Sequence, residues 1–500
     1  MSRRLAYLAT FILLLFAVIV GQASFVQFFH AQALDSSPLN PGSGANIVSS
    51  DRGEIIAADG QILAQSVATR SSSQPYQRVY PLGSLTAGEV GWVSLYHGSW
   101  ALEQEYNSYL TPHTLPAQNY AQVLSPLQGT DNVNLTLYPE LQRIAQVGLA
   151  GQDGAAVVID PQNGNVLGLY SNPTFNPAPF VSTSTAVEAA AYAKGVAPDK
   201  DGFPPLGLVA LDQTFPPGST FKIVTTSAAQ VYKPSLITKY YPVAQYTALP
   251  NSNLLLHNDA NSYCGGTVVQ MLPPSCDQGY ARLGLDLGAS ALSKMANAFG
   301  FNSRIPIDMP YEVPSKFPPV SAYAYNLPFL AYSAIGQGNV QATALQMALV
   351  AAGVANGGKI MTPHLMSSIV GPSGTVVQRY VPTVWRQPVT TAEANFTKNL
   401  MVSVVTGGTA SGVGFLPQDQ VGAKTGTAQV GNATQQTHDW MIAFAPANHP
   451  TVAVAVAVPY QPTYDYGATI AGPVVKCLIE GALAIQSHQP STGTSTTCPA

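Results

Sequence analysis

Ser219 and Lys222 stand three residues apart in Ser219-Thr220-Phe221-Lys222, and Lys424-Thr425-Gly426 follows far downstream. Together they supply the parts of a lysine-activated serine acyl-transfer site. A serine hydroxyl is a poor nucleophile at neutral pH until a base takes its proton. Residues three apart share a helix face, so the Lys222 amine is expected beside the Ser219 hydroxyl. Pro216-Pro217-Gly218 predicts a sharp entry into that helix, where backbone N–H groups and the dipole favour a developing oxyanion. Alone, the serine–lysine spacing is a weak signal, because Ser219 also reads as a helix N-cap with Lys222 solvated. The second motif strengthens it. Lys424-Thr425-Gly426-Thr427 falls on a predicted edge strand, 423–429, where Gly426 admits close approach of a substrate backbone. Lys424 offers charge, and Thr425 and Thr427 offer hydroxyls, to a substrate carboxylate. Between the two motifs, Ser275-Cys276-Asp277 precedes a helix beginning near Gln278, and by itself reads as an N-cap.

The elements that must position these residues follow from periodicity. The apolar run 154–159, the turn 161–164 and the run 166–170 predict a hairpin that opens a domain. Helical patterns occupy 219–230, 278–299 and 341–356, and three consecutive strands are expected at 423–430, 440–446 and 451–458 before a last helix at 471–484. Upstream, short alternating strands flank the turn Asp59-Gly60, and a helix starts at Pro139, whose fixed φ suits a first turn. The expected organisation is a stub and anchor over 1–30, a small module over 31–148, a catalytic domain over 149–486 and a disordered tail over 487–500.

At 500 residues with 46% hydrophobic content, the chain is long and apolar enough to bury real cores. Only 9% of residues are charged, the net charge is -4, and the 21 Lys and Arg form no basic stripe, which argues against a nucleic-acid partner. After Met1-Ser2-Arg3-Arg4, an uncharged stretch runs to about Phe29, long enough to span a bilayer. The two arginines predict a cytoplasmic N-terminus and an extracytoplasmic remainder. A cleaved signal peptide competes with this, since Gly21-Gln22-Ala23-Ser24 offers small residues, but the apolar run is long for one and favours an uncleaved anchor. Outside the cell, disulfides are allowed: Cys264 and Cys276 are close enough to close a short loop worth about 3 kcal/mol. Cys477, in an apolar helical stretch, reads as a buried free thiol, and Cys498 sits in the Ser/Thr-rich tail. The eight histidines are dispersed, without His-Glu-x-x-His or Cys-x-x-Cys, so no metal site is expected, and acyl transfer of this kind needs no cofactor.

The ordered motifs resemble the penicillin-binding proteins, and more narrowly their class B transpeptidases of the actinobacterial penicillin-binding protein A type. Arg52-Gly53 with Asp59-Gly60, Arg78-x-Tyr80-Pro81-x-Gly83 and Glu103 match the signatures of that family's pedestal domain. Phe215-Pro216-Pro217-Gly218-Ser219-Thr220-Phe221-Lys222, Ala334-Ile335-Gly336-Gln337-Gly338, Asn356-Gly357-Gly358, Lys424-Thr425-Gly426-Thr427-Ala428 and His438-Asp439-Trp440 match its transpeptidase domain. The resemblance implies an α+β fold of the serine β-lactamase-like type, with an antiparallel sheet flanked by helices behind a small pedestal and one transmembrane helix. It implies that Ser219 attacks the D-Ala-D-Ala end of a stem peptide while Lys222 takes its proton. Ser275 would then relay a proton to the leaving group, and the Ser219 and Thr427 N–H groups would form an oxyanion hole. Lys424, Thr425 and Thr427 would hold the donor carboxylate, and β-lactams would acylate Ser219. It also implies a SEDS-type glycosyltransferase partner in the membrane, since the residues before 150 leave little room for a glycan polymerase.

One departure matters: the family has Asn where this chain has Asp277. An ionised carboxylate favours the ammonium form of nearby lysines, so Asp277 is expected to act protonated, or the activity to be tuned to a mildly acidic exterior. A D,D-carboxypeptidase, a serine β-lactamase and a non-catalytic β-lactam sensor or scaffold are the competing functions. The β-lactamase reading needs a deacylating glutamate, and only Glu312 and Glu393 lie between Lys222 and Lys424.

Overall fold

The computed structural model describes residues 3–29, 49–72, 74–115, 127–149, 151–431, 436–462 and 466–487. Residues 30–48, most of the Ser-, Pro-, Gly- and Asn-rich stretch 30–50 that reads as a linker, and the expected tail from 488 on, with Cys498, lie outside the described residues. In chain order the elements that matter for the site begin with helix α1 (Arg3–Phe29) and strands β1 (Ile55–Ile56), β2 (Ile62–Ala68), β3 (Tyr76–Val79) and β4 (Asn132–Leu135). Helix α2 (Pro139–Gly148) leads to β5 (Gly154–Ile159), β6 (Val166–Asn172), α3 (Lys222–Tyr232), α4 (Asp277–Leu287) and α5 (Ala344–Ala355). Strands β7 (Met366–Val370) and β8 (Val376–Arg379), helix α6 (Thr391–Gly407), strands β9 (Gly422–Gln429), β10 (Thr437–Ala445) and β11 (Val452–Gln461), and helix α7 (Gly467–Gln486) complete the chain.

The catalytic domain is built on a five-stranded antiparallel sheet in the order β6-β5-β11-β10-β9, with β9 at the edge. Every residue of β10 and nearly every residue of β11 is buried. Those strands are apolar without alternation because both faces are covered, by α5 on one side and α7 on the other. Helix α5 is buried along its whole length, which explains its lack of a polar face. Among described residues, α7 is long and apolar enough to cross a membrane, yet over half of it is buried on the sheet, so it is a core helix. The side chains of α1 are the reverse: 11–22 are all exposed, with Leu13 and Phe16 among the most open. Two expected helices differ in detail. The pattern at 278–299 is broken at Gly288, whose φ of 80° ends α4 before a second helix (Ala289–Ala298) starts. Ser219 sits not in an α-helix but in a 3-10 turn, Gly218–Phe221, that feeds α3.

The pedestal sheet has the order β8-β7-β4-β1-β2-β3. It crosses the boundary expected at residue 148, because β7 and β8 come from beyond α5. All three pedestal signatures converge on one buried carboxylate. Arg52 Nη2 donates to Glu103 Oε2 at 2.7 Å, Arg78 Nε to Oε1 at 2.6 Å, and the Tyr80 hydroxyl to Oε1 at 3.3 Å. Arg52 also donates to Asn107 Oδ1 and Arg78 to the Gly53 carbonyl. Burial pushes the Glu103 carboxyl up, but Arg78 and Arg52 overcome it and hold the group below its ordinary range. A second buried knot fixes pedestal to catalytic domain: Gln142 of α2 donates to Glu89 Oε2 and brackets both the N–H and the carbonyl of Leu169 on β6.

Removing a buried charge partner strands the other charge, so Glu103→Ala should destabilise the protein by about 3–5 kcal/mol. Chemical denaturation followed by far-UV circular dichroism measures this. A loss below roughly 1 kcal/mol, the size of an exposed pair, would show that the cluster is not the pedestal's keystone.

Candidate active site

The turn carrying Ser219 is held from three sides. The Gly218 N–H donates to the Gly336 carbonyl at 3.0 Å, and the Trp440 indole donates to the Pro216 carbonyl at 3.0 Å. On the third side, Gly426 of β9 lies against the turn. A Cβ there would come within 2.7 Å of the Pro217 carbonyl and 2.9 Å of Thr220 Cγ2. A Cβ on Gly336 would collide with the Gly218 carbonyl. These glycines let three backbones meet behind Ser219.

Around Ser219 the structure brings the sequence-predicted residues together. Lys222 Nζ lies 2.8 Å from Ser219 Oγ, 2.7 Å from the Ser275 carbonyl, 3.1 Å from Ser275 Oγ and 2.7 Å from Asp277 Oδ1. Lys424 Nζ donates to Ser275 Oγ and to the Thr425 carbonyl, both at 2.8 Å. Both lysines are wholly buried, whereas Ser219 keeps 6% exposure, enough to be reached from a cleft. Burial holds the Lys424 amine well below the usual lysine range, and the neighbouring Lys222 charge adds to this against the pull of Asp277 and Asp259. Thr425 Oγ1 lies 2.6 Å from Thr409 Oγ1, and Thr427 Oγ1 accepts from the Gly467 N–H.

Ser275 is held in a left-handed conformation, φ 59°, uncommon for a non-glycine residue and of the kind found where neighbours over-determine the backbone. The Cys264–Cys276 disulfide is formed and anchors the adjacent residue. Cys477, expected as a free thiol, is disulfide-bonded, its partner lying outside the described residues. Asp277 Oδ1 accepts from Lys222, as an asparagine oxygen would.

Sequence reasoning missed two neighbours. Asp259 sits at the rim: the residue is exposed overall, yet its carboxyl is pushed up to about 6, by desolvation first and by the Asp277 charge second, against Lys222 and Lys424. No motif marks it. Thr409 had one available signal, the Gly407-Gly408 break at the end of α6. Neither glutamate weighed for deacylation is free for it: Glu312 accepts from the Ile305 N–H, and Glu393 closes the capping box of α6.

Residues 154–480 match the penicillin binding protein transpeptidase domain, and residues 52–134 match the penicillin binding protein A dimerisation domain. The chain is 33% identical to a peptidoglycan D,D-transpeptidase PbpA of Mycobacterium tuberculosis and 34% identical to one of Mycolicibacterium smegmatis, each over 97% of this chain and 99% of the relative. The crystal structure of PBPA from M. tuberculosis superposes with a TM-score of 0.77 at 32% identity, covering 87% of this chain and all of the other. Its ceftriaxone acyl-enzyme complex gives 0.78 at 31% identity, covering 88% and 100%.

The tight approach at Gly426 makes a sharp prediction. Gly426→Ala should displace the Ser219 turn and slow acylation by fluorescent penicillin about 100-fold, the scale of a misplacement near 1 Å. Unchanged acylation in a folded variant would mean that the turn is not positioned by β9.

Proposed function

The chain belongs to the penicillin-binding protein transpeptidases, and from that premise we propose how its own residues crosslink peptidoglycan. It is a penicillin-sensitive peptidoglycan D,D-transpeptidase working through a serine acyl-enzyme. Ser219 Oγ attacks the carbonyl of the penultimate D-Ala as its proton passes to Lys222. The peptide bond breaks, and the terminal D-Ala leaves with a proton relayed through Ser275. An amine from a neighbouring stem peptide then attacks the ester, forming the crosslink and restoring Ser219.

The observation that carries this reading is the set of partners around Lys222 Nζ. A neutral amine has two N–H donors and one lone pair. Of the four oxygens around it, the Ser275 carbonyl and Asp277 Oδ1, both at 2.7 Å, take the two donors of the neutral form, which leaves its lone pair to the two hydroxyls, Ser219 Oγ at 2.8 Å and Ser275 Oγ at 3.1 Å. The Ser219 and Thr427 N–H groups serve as the oxyanion hole, each worth about 3 kcal/mol. Lys424, Thr425 and Thr427 grip the donor carboxylate along the open edge of β9. Helix α1 is the membrane anchor, uncleaved, with Arg3 and Arg4 on the cytoplasmic side and the catalytic domain outside. A SEDS-type glycosyltransferase in the same membrane supplies the glycan strands.

Fluorescent penicillin should label the protein stably and should fail to label Ser219→Ala; rapid loss of label would identify a β-lactamase instead. The acylation rate should fall as pH falls, because protonation removes the neutral form of the Lys424 amine, which burial holds well below the usual lysine range. Asp277 raises Lys424, so Asp277→Asn should lower it further and move the acid limb of the rate profile to lower pH. An acid limb that stays put or moves up would refute this role for Asp277.

A further inference from the structure

A groove of about 480 Å³ lies on the seam between pedestal and catalytic domain, away from Ser219. The pedestal gives it Trp92, His97, Trp100 and Gln104; the catalytic domain gives it Tyr192 and Tyr311. Its volume falls in the range of small-molecule sites, roughly 300–1,000 Å³. The aromatic planes are layered. Trp100 stacks on the buried Trp92 at 4.9 Å and 18°, and Tyr311 lies nearly parallel to Trp100 at 6.2 Å and 15°. On the other wall His97 stacks on Tyr192 at 4.2 Å, its Nδ1 fixed 2.7 Å from the buried Glu188 carboxylate. No Lys, Arg, Asp or Glu lines the groove. Tyr311 is 52% exposed and holds φ at 68°, a conformation that a bulky residue rarely adopts. An exposed ring kept in a strained backbone is a feature that folding alone does not call for.

We propose that this groove binds the glycan strand of peptidoglycan, with pyranose rings laid on Trp100 and Tyr311. A pyranose ring has an apolar C–H face and an equatorial rim of hydroxyls. Flat aromatic walls match the face, while Gln104, His97 and the tyrosine hydroxyl match the rim. The uncharged lining disfavours a lipid phosphate or a stem-peptide carboxylate, neither of which would find a cation there. Because both domains contribute, an occupied groove braces the seam that sets the pedestal against the catalytic domain. The proposal rests on the transpeptidase reading only for the choice of polymer.

The test uses the full chain in detergent micelles with a peptide-free GlcNAc–MurNAc tetrasaccharide, read by tryptophan fluorescence and calorimetry. Saturable binding is expected, weakened about tenfold in Trp100→Ala and in Tyr311→Ala and nearly unchanged in Tyr311→Phe. Binding should persist when Ser219 is already acylated by penicillin, and every variant should still take that label, which reports folding and the catalytic site separately. No saturable binding by labelled protein, binding that survives both alanine substitutions, or binding abolished by acylation would each overturn the proposal. So would tighter binding of a proline decapeptide, the other ligand that suits aromatic grooves.

Discussion

Everything at the catalytic centre depends on one buried amine. Lys222 Nζ has four oxygens within 3.1 Å and no exposure to water, so its proton count is set by the protein. Each of the three residues that supply those oxygens is delivered by a different device. Ser219 arrives through the 3-10 turn that starts α3, wedged between Gly336 and Gly426. The Ser275 carbonyl arrives through a left-handed backbone, and Asp277 through the first turn of α4, with the Cys264–Cys276 bridge fixed between them. Loosening any one of these would leave a buried polar group without its partner, which typically costs about 1–3 kcal/mol.

The pedestal obeys the same rule around a carboxylate. Glu103 is a buried anion that organises two arginines and a tyrosine as Lys222 organises its oxygens. Three segments far apart in sequence are therefore tied to one point, and the short pedestal strands around it need little length of their own to be held. Further polar contacts, the buried pair of Gln142 with the Leu169 backbone and the part-buried Tyr106 hydroxyl with Asp308 at 2.7 Å, carry that order into the catalytic domain.

Much of this was legible in the sequence because the features involved are local. The proline–glycine entry to Ser219, the all-apolar runs of β10 and β11, and the short spacing of Cys264 and Cys276 each announce themselves within a dozen residues. The family resemblance then ordered the motifs. What escaped is long-range. Nothing at 366–379 says that β7 and β8 will leave their own domain to extend the pedestal sheet, since pairing partners are chosen by tertiary packing. Helical periodicity runs straight through Gly288 because the break is a single left-handed residue. Asp259 carries no motif at all, and its relation to the lysines exists only in the fold.

That relation bears on how Asp277 can stand where the family resemblance implies asparagine. Two lysines and two carboxylates share the site: Asp277 and Asp259 raise the Lys424 amine, and the two lysines draw the Asp259 carboxyl down. Ser275 Oγ joins the two amines, 3.1 Å from Lys222 Nζ and 2.8 Å from Lys424 Nζ. A proton taken from Ser219 at Lys222 can thus be shared with Lys424, whose burial keeps it poised to be neutral. In the proposed reaction the two amines bridged by Ser275 act together, and Asp277 raises Lys424 without undoing the lowering that burial imposes on it.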